Sequence, residues 1–296
     1  MRKYLKRYRA NDAIIGFLYI LPYVACWSIF LAYPVGYGFY LSLFCWDPLR
    51  GSQFVGFTNY QRLLFDPRFI NAILVSLKFV VMTVPLVIFF GALMAFGLWY
   101  LRHYKKIVSI SQALFFIPYT LSVSVIAITW RWLLDRNVGF FQYYMSQIGL
   151  PVLLVDPSLA LPTIAFVTTW WIAGYRMLIF QAALEDIPVE VVEAAIIDGA
   201  SFRVLVMKIF FPLLKPAMTF AIIFTIVMAF QMFGQVFLMT EGGPGRSTEL
   251  LALYIYRSAF DYLDLGRAAA AGFILGILVL SVSLVWIKKG MKSALQ

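Results

Sequence analysis

Residues 79–101 read FVVMTVPLVIFFGALMAFGLWYL, 23 positions from Phe79 to Leu101 without one charged side chain. A helix rises about 1.5 Å per residue and needs about 20 apolar residues to cross a hydrocarbon layer of roughly 30 Å. The stretch therefore predicts a transmembrane helix. Ile107–Trp130 (24 residues), Pro157–Tyr175 (19), Pro216–Thr240 (25) and Ala268–Ile287 (20) are equally free of charge. Ala13–Trp46 is neutral for 34 residues, which accommodates a span over 13–34 and an amphipathic exit. The expected fold class is all-α integral membrane, with six transmembrane helices.

Composition agrees. Of 296 residues 62% are hydrophobic and 13% charged, with a mean hydropathy of +0.86. A soluble domain is roughly half apolar and a quarter charged, so this chain has too little polar surface to face water on all sides. Disordered, fibrous and nucleic-acid-binding classes fall with it, because the net charge of +10 is explained by its placement.

Arg2, Lys3, Lys6, Arg7 and Arg9, then Arg102, Lys105 and Lys106, then Arg203, Lys208 and Lys215, then Lys288, Lys289 and Lys292 all fall on one side of the predicted spans. Only Arg50, Arg62, Arg68, Arg131, Arg136, Arg246, Arg257 and Arg267 fall on the other. Basic residues favour the cytoplasmic side, so both termini are expected to be cytoplasmic. The first apolar run is too long for a signal-peptide core and has no small-residue cleavage site after it, so it reads as a retained helix. Lys78 and Arg176 stand within or beside spans and read as interfacial, Arg176 snorkelling toward the cytoplasm. Two cysteines, Cys26 and Cys45, and the single histidine, His103, support neither a metal cage nor a disulfide framework.

The outer loops, 35–70, 132–156 and 241–266, are too short for an ordinary folded domain. Gly51–Tyr60, with Gly51, Gly56 and Asn59 among aromatics, reads as an irregular interfacial loop. The chain divides into 1–70 (N-terminus, first span, outer loop), 71–287 (the permeation body) and 288–296 (cytoplasmic tail).

One cytoplasmic segment, 185–216, is patterned for helix. Asp186 can cap, and Pro188 falls in the first turn, where a missing N–H costs little. The run continues to Gly199, a natural helix stop, and Ser201 can cap a second short helix ending before Pro212 and Pro216. Ala194, Ala195 and Ala200 keep the corner small enough for another backbone to approach.

Glu193-Ala194-Ala195, three residues to Gly199, nine more to Ile209, and then Pro212 resembles the EAA loop of ABC importer permeases, Glu-Ala-Ala-x3-Gly-x9-Ile-x-Leu-Pro, without a gap. Phe211 stands where leucine is usual, and Asp198 and Ala200 extend the match to Asp-Gly-Ala. Phe54–Tyr60 (FVGFTNY), Ile117-Pro118-Tyr119, Trp130-Arg131-Trp132, Ala183-Leu184 with Ile187-Pro188, and Thr240–Gly245 (TEGGPG) resemble the carbohydrate branch of the same family. The outer Thr-Glu-Gly-Gly-Pro element is similar to the larger maltose permease subunit, without its extra helices and large outer loop. Glycerol-phosphate permeases share the architecture.

The resemblance implies a type I importer permease fold in a bacterial or archaeal cytoplasmic membrane. It implies a second homologous permease subunit, two cytoplasmic ATP-binding subunits docked on the EAA loops, and an extracytoplasmic solute-binding protein, with lipid around the spans. ATP and Mg²⁺ belong to the ATP-binding subunits, and no cofactor is expected on this chain. The sequence agrees, since it contains no Gly-x4-Gly-Lys-Ser/Thr. Gly242–Thr248 looks like a phosphate loop only superficially, lacking both the spacing and the lysine. No catalytic residue is expected. Glu193, Ala194, Ala195, Asp198, Gly199, Ala200, Ile209 and Pro212 are the expected ATPase-coupling residues.

For the solute pathway, Gln231 and Gln235 are four apart in the fifth predicted span, and Thr168, Trp171 and Tyr175 form one stripe in the fourth. Amides, hydroxyls and aromatic faces suit a sugar. The same residues equally glue helix to helix or mark the interface. An ion-coupled secondary transporter would need midplane carboxylates or broken helices, and the charge-free spans hold no Asp or Glu. An intramembrane enzyme would need a metal site or a His–Ser pair, which one loop histidine does not supply.

Overall fold

The computed structural model describes residues 2–47, 51–149 and 151–294, with side chains at 15–46, 51–149 and 151–288. The N-terminal basic cluster, Arg50, Lys289 and Lys292 lie outside the described side chains, so the charge asymmetry and the orientation expected from it rest on the sequence. Two units emerge. One comprises Met1–Leu63 and Ser258–Phe273, the other Leu64–Arg257 and Ile274–Gln296.

In the first unit α1 (Arg2–Trp27) passes through a π-helical turn, Ser28–Ala32, into α2 (Tyr33–Ser42). The apolar run is one candidate span of 28 residues, Ile15–Ser42, longer than the 13–34 expected from charge alone. Tyr19, Tyr23, Phe30 and Tyr33 stand exposed along it, as side chains that meet lipid or another subunit do. The segment read as an irregular loop is ordered: β1 (Phe44–Asp47) and β2 (Gly51–Phe54) form an antiparallel hairpin, and α3 (Thr58–Leu64) follows. A buried amide makes the difference. Asn59 Nδ2 donates to the carbonyls of Ser42 (2.8 Å) and Phe44 (2.9 Å), and the Tyr60 and Ser42 hydroxyls meet at 2.7 Å.

The second unit opens with α4 (Pro67–Tyr100), whose first turn is fixed by proline at its start and by the Asp66 carboxylate accepting from the Arg68 N–H. Next come α5 (Lys105–Thr120) and α6 (Val123–Leu133), which meet at 94°. The third predicted span is therefore bent, just after Pro118 and at Ser122, whose Oγ caps α6. Then follow α7 (Phe140–Gln147), α8 (Ala160–Glu185) and α9 (Val189–Ile197). Beyond them, α10 (Phe202–Val204), a π turn (Leu205–Phe210) and α11 (Phe211–Leu213) lead at 69° into α12 (Lys215–Phe230). The chain continues through α13 (Gly234–Thr240), α14 (Leu251–Phe260) and α15 (Leu265–Ala294). Among the described residues four helices are long and apolar enough to cross a membrane, and up to six spans result if each bent pair is one.

Helix α8 is the hub of this unit, and two glycines let its neighbours come close. A Cβ on Gly174 would lie 1.9 Å from the Phe115 carbonyl oxygen of α5, and one on Gly91 of α4 would lie 2.8 Å from the Arg176 Cβ. Around these contacts Phe79, Val167, Met177, Phe180, Phe210 and Phe230 form part of one buried apolar cluster.

Candidate functional site

The loop after α8 carries the first constellation. Asp186 ends α8 instead of starting α9, and Pro188, with an extended ψ of 131°, occupies the cap position itself. Proline offers no side-chain acceptor there, and the Val191 N–H turns back to the Pro188 carbonyl at 3.1 Å. At the far end Gly199 takes φ +83°, with Gly199 N–H bonded to Ile196 O and Ala200 N–H to Ala195 O, both at 2.9 Å. That pair of bonds is the Schellman stop. Ser201 caps α10 by backbone position, without a side-chain hydrogen bond. The second arm does not end before Pro212. It continues through α11 with Pro212 in its first turn, the preceding π turn widening the helix where proline would otherwise crowd a carbonyl.

Burial sorts the residues expected to couple into two sets. Val192 is buried, and Ala195, Ala200 and Ile209 are half-buried against the apolar cluster, anchoring the corner. Glu193, Ala194, Asp198, Gly199 and Pro212 face outward. So does Ile197, which is 85% exposed, and Ile196 and Val189 are exposed as well. A short helix with an apolar ridge, two exposed carboxylates (Glu190 and Glu193) and a small alanine has the form of a helix that lies in a partner's groove.

The second constellation lies in the spans. Thr168 is fully buried, its hydroxyl 2.8 Å from Gln235 Oε1 and 2.8 Å from the Ile164 carbonyl. The expected face shared by Gln231 and Gln235 does not exist. Helix α12 stops at Phe230, Gln231 is its exposed cap, and Gln235 is buried in α13. Helical register does not carry across the break. Trp171 is half-buried, with its indole N–H enclosed and without a hydrogen-bond partner, and so is the amide nitrogen of Gln235. Tyr175 stacks on Tyr119, ring centroids 4.6 Å apart and planes within 8°. The structure thus joins Thr168 with Gln235 and Tyr175 with Tyr119, and leaves Gln231 apart.

Arg176 departs most from expectation. It is fully buried, not snorkelling. It lies nine positions before Glu185, the end of α8, about 14 Å at helical rise and beyond the reach of its side chain. Its Nε donates to Thr225 Oγ1 at 2.9 Å, one Nη contacts Met228 Sδ at 3.4 Å, and the other Nη has no partner. The Tyr175 and Phe224 rings lie 5.1 and 5.2 Å from its guanidinium carbon. A cation at the centre of a spanning helix costs about 2.5–3.5 kcal/mol on insertion scales, and ring faces offset only part of that.

A third cluster escaped the sequence. Glu249, fully buried, accepts from Arg68 Nε at 3.0 and 3.1 Å and from Arg257 Nη1 at 3.2 Å, while Arg257 also donates to the Glu241 carbonyl. Beside it the Tyr254 hydroxyl donates to Asp66 at 2.7 Å. The cluster ties the turn after α13 to the start of α4. Arg68 and Glu249 are 181 positions apart, a pairing no local pattern reveals.

Residues 65–293 match the family described as binding-protein-dependent transport system inner membrane component. A probable ABC transporter permease of Bacillus subtilis is 30% identical, covering 94% of this chain and 96% of that one. The sn-glycerol-3-phosphate transport system permease protein of Escherichia coli is 31% identical, over 92% of each chain. Among solved structures, a bacterial ABC transporter involved in import of the acidic polysaccharide alginate superimposes with a TM-score of 0.82 at 22% identity, over 98% of this chain and 99% of that one, a likeness of fold.

Proposed function

The chain belongs to the family of binding-protein-dependent transport system inner membrane components, and from that membership we propose that it drives uptake of a sugar or sugar-like solute by coupling α9 to separate ATPase subunits. As a member it is a permease subunit of an ABC import system, a pore component and not an enzyme. In our reading α5–α6 crosses the cytoplasmic membrane once and α12–α13 once, giving six spans with both termini in the cytoplasm. A second homologous permease completes the pathway, two ATP-binding subunits dock on the paired EAA loops, and an extracytoplasmic protein delivers the solute. ATP and Mg²⁺ are held by those ATP-binding subunits, and this chain binds no cofactor.

The observation that carries the reading is the corner at Gly199. Glu193 and Ala194 are presented outward while Val192, Ala195, Ala200 and Ile209 hold the same corner to the core. Closure of the ATPase pair on ATP would move α9 as a lever. The motion passes through the Schellman stop and the π turn into α12, whose Thr225 and Met228 touch Arg176. A conformational switch needs contacts that differ between its states, and the α8–α12 contact is one that such a tilt changes. A second reading, in which the solute carries a phosphate, is favoured by the Escherichia coli relative, whose system transports sn-glycerol-3-phosphate.

Co-purification through a tag on this chain tests the assembly. We expect one copy with one second permease and two ATPase subunits. Recovery of the chain alone, from cells making all partners, would overturn the proposal.

A further inference from the structure

We propose that Arg176 binds an anionic group on the transported solute, so that the solute class is acidic rather than neutral. The inference rests on the permease reading above and narrows its substrate.

Three observations carry it. Among the described residues no Asp or Glu is hydrogen-bonded or ion-paired to Arg176: its partners are Thr225, Met228 and two aromatic rings. A guanidinium has five N–H donors and no acceptor, and one of its Nη atoms is enclosed with no hydrogen-bond partner at all. Two further enclosed groups without partners, Trp171 Nε1 on the same helix and Gln235 Nε2 on α13, are also donors. Helix α8 and the α12–α13 segment thus hold enclosed donors without partners, the complement of an oxygen-rich anion. Arginine suits the task, since its planar fork takes a carboxylate or phosphate by two parallel bonds.

The position fits a pathway. Tyr119 lies next to the α5–α6 bend, and Met228 lies one turn before the α12–α13 break. Interrupted helices are where transporters place solute sites. In this conformation Tyr175 and Phe224 lie against the guanidinium. A tilt of α12 moves Phe224, Thr225 and Met228 together and uncovers it. Serving only as helix glue, Arg176 would carry a charge where glutamine would do.

The test uses the whole complex, reconstituted with its binding protein, and reads ATPase stimulation by two probe sets. One is anionic (sn-glycerol-3-phosphate, glucuronate and digalacturonate) and the other neutral (glycerol, glucose and maltose). We expect an anionic probe to stimulate at a concentration at least about tenfold below any neutral one, the scale of a charge-assisted hydrogen bond. Arg176→Met should erase that preference, and Arg176→Lys should restore part of it. Stimulation by the neutral set, or by neither, overturns the inference. So does an anion preference that survives in Arg176→Met. If Arg176→Met fails to assemble, the wild-type preference and the lysine variant still decide. Failure of the wild-type chain to recruit ATPase subunits would sink the coupling reading instead.

Discussion

Gly199 holds φ +83° with open space around its Cα, so a side chain there meets strain without a clash. Gly199→Ala is expected to cost about 1–2 kcal/mol of local stability, and Gly199→Val more, with transport lost while the chain still inserts. Uptake assays paired with membrane fractionation check this. Gly174 is the opposite case, blocked by the Phe115 carbonyl. Gly174→Ala should push α5 from α8 and lower stability in detergent melts by about 1–3 kcal/mol. The EAA residues could be read from sequence because their spacing is local. Arg176 was misplaced because it directly follows the charge-free run 157–175, and a charge ending such a run marks the membrane boundary. Helix α8 instead starts at Ala160 and continues to Glu185, which draws the arginine inward.

At the scale of elements, α9 is the helix the sequence announces, bounded by Pro188 and Gly199. Glu193→Lys reverses the charge at that position and should abolish transport and weaken ATPase recruitment, with membrane insertion unchanged. Uptake that stays normal would remove α9 from the coupling role. The breaks in the third and fifth predicted spans were not legible, since apolar composition is the same on both sides of a bend. Pro118 hints at one, and nothing but Gly234 hints at the other. The Glu249 cluster is an element-to-element clasp. Breaking a buried charge pair costs about 3–5 kcal/mol, and Arg68 and Arg257 retain some exposure at 12% and 24%. Glu249→Gln should therefore fall near the lower end, about 3 kcal/mol, visible as a lowered melting temperature in detergent.

For the whole molecule, composition already required lipid, and the EAA spacing named the kind of machine. What could not be read was packing over long sequence distances: the hairpin tied by Asn59, the clasp at Glu249 and the enclosure of Arg176. The central claim is that α9 is the contact through which separate ATPase subunits drive this chain, and Ala194, exposed on its outer face, is the place to test it. With Cys26 and Cys45 replaced by alanine, an Ala194→Cys complex treated with a short bifunctional thiol reagent should yield an adduct of this chain with an ATP-binding subunit. An Ala194→Cys chain that forms no such adduct in a complex containing both ATPase subunits would contradict the account.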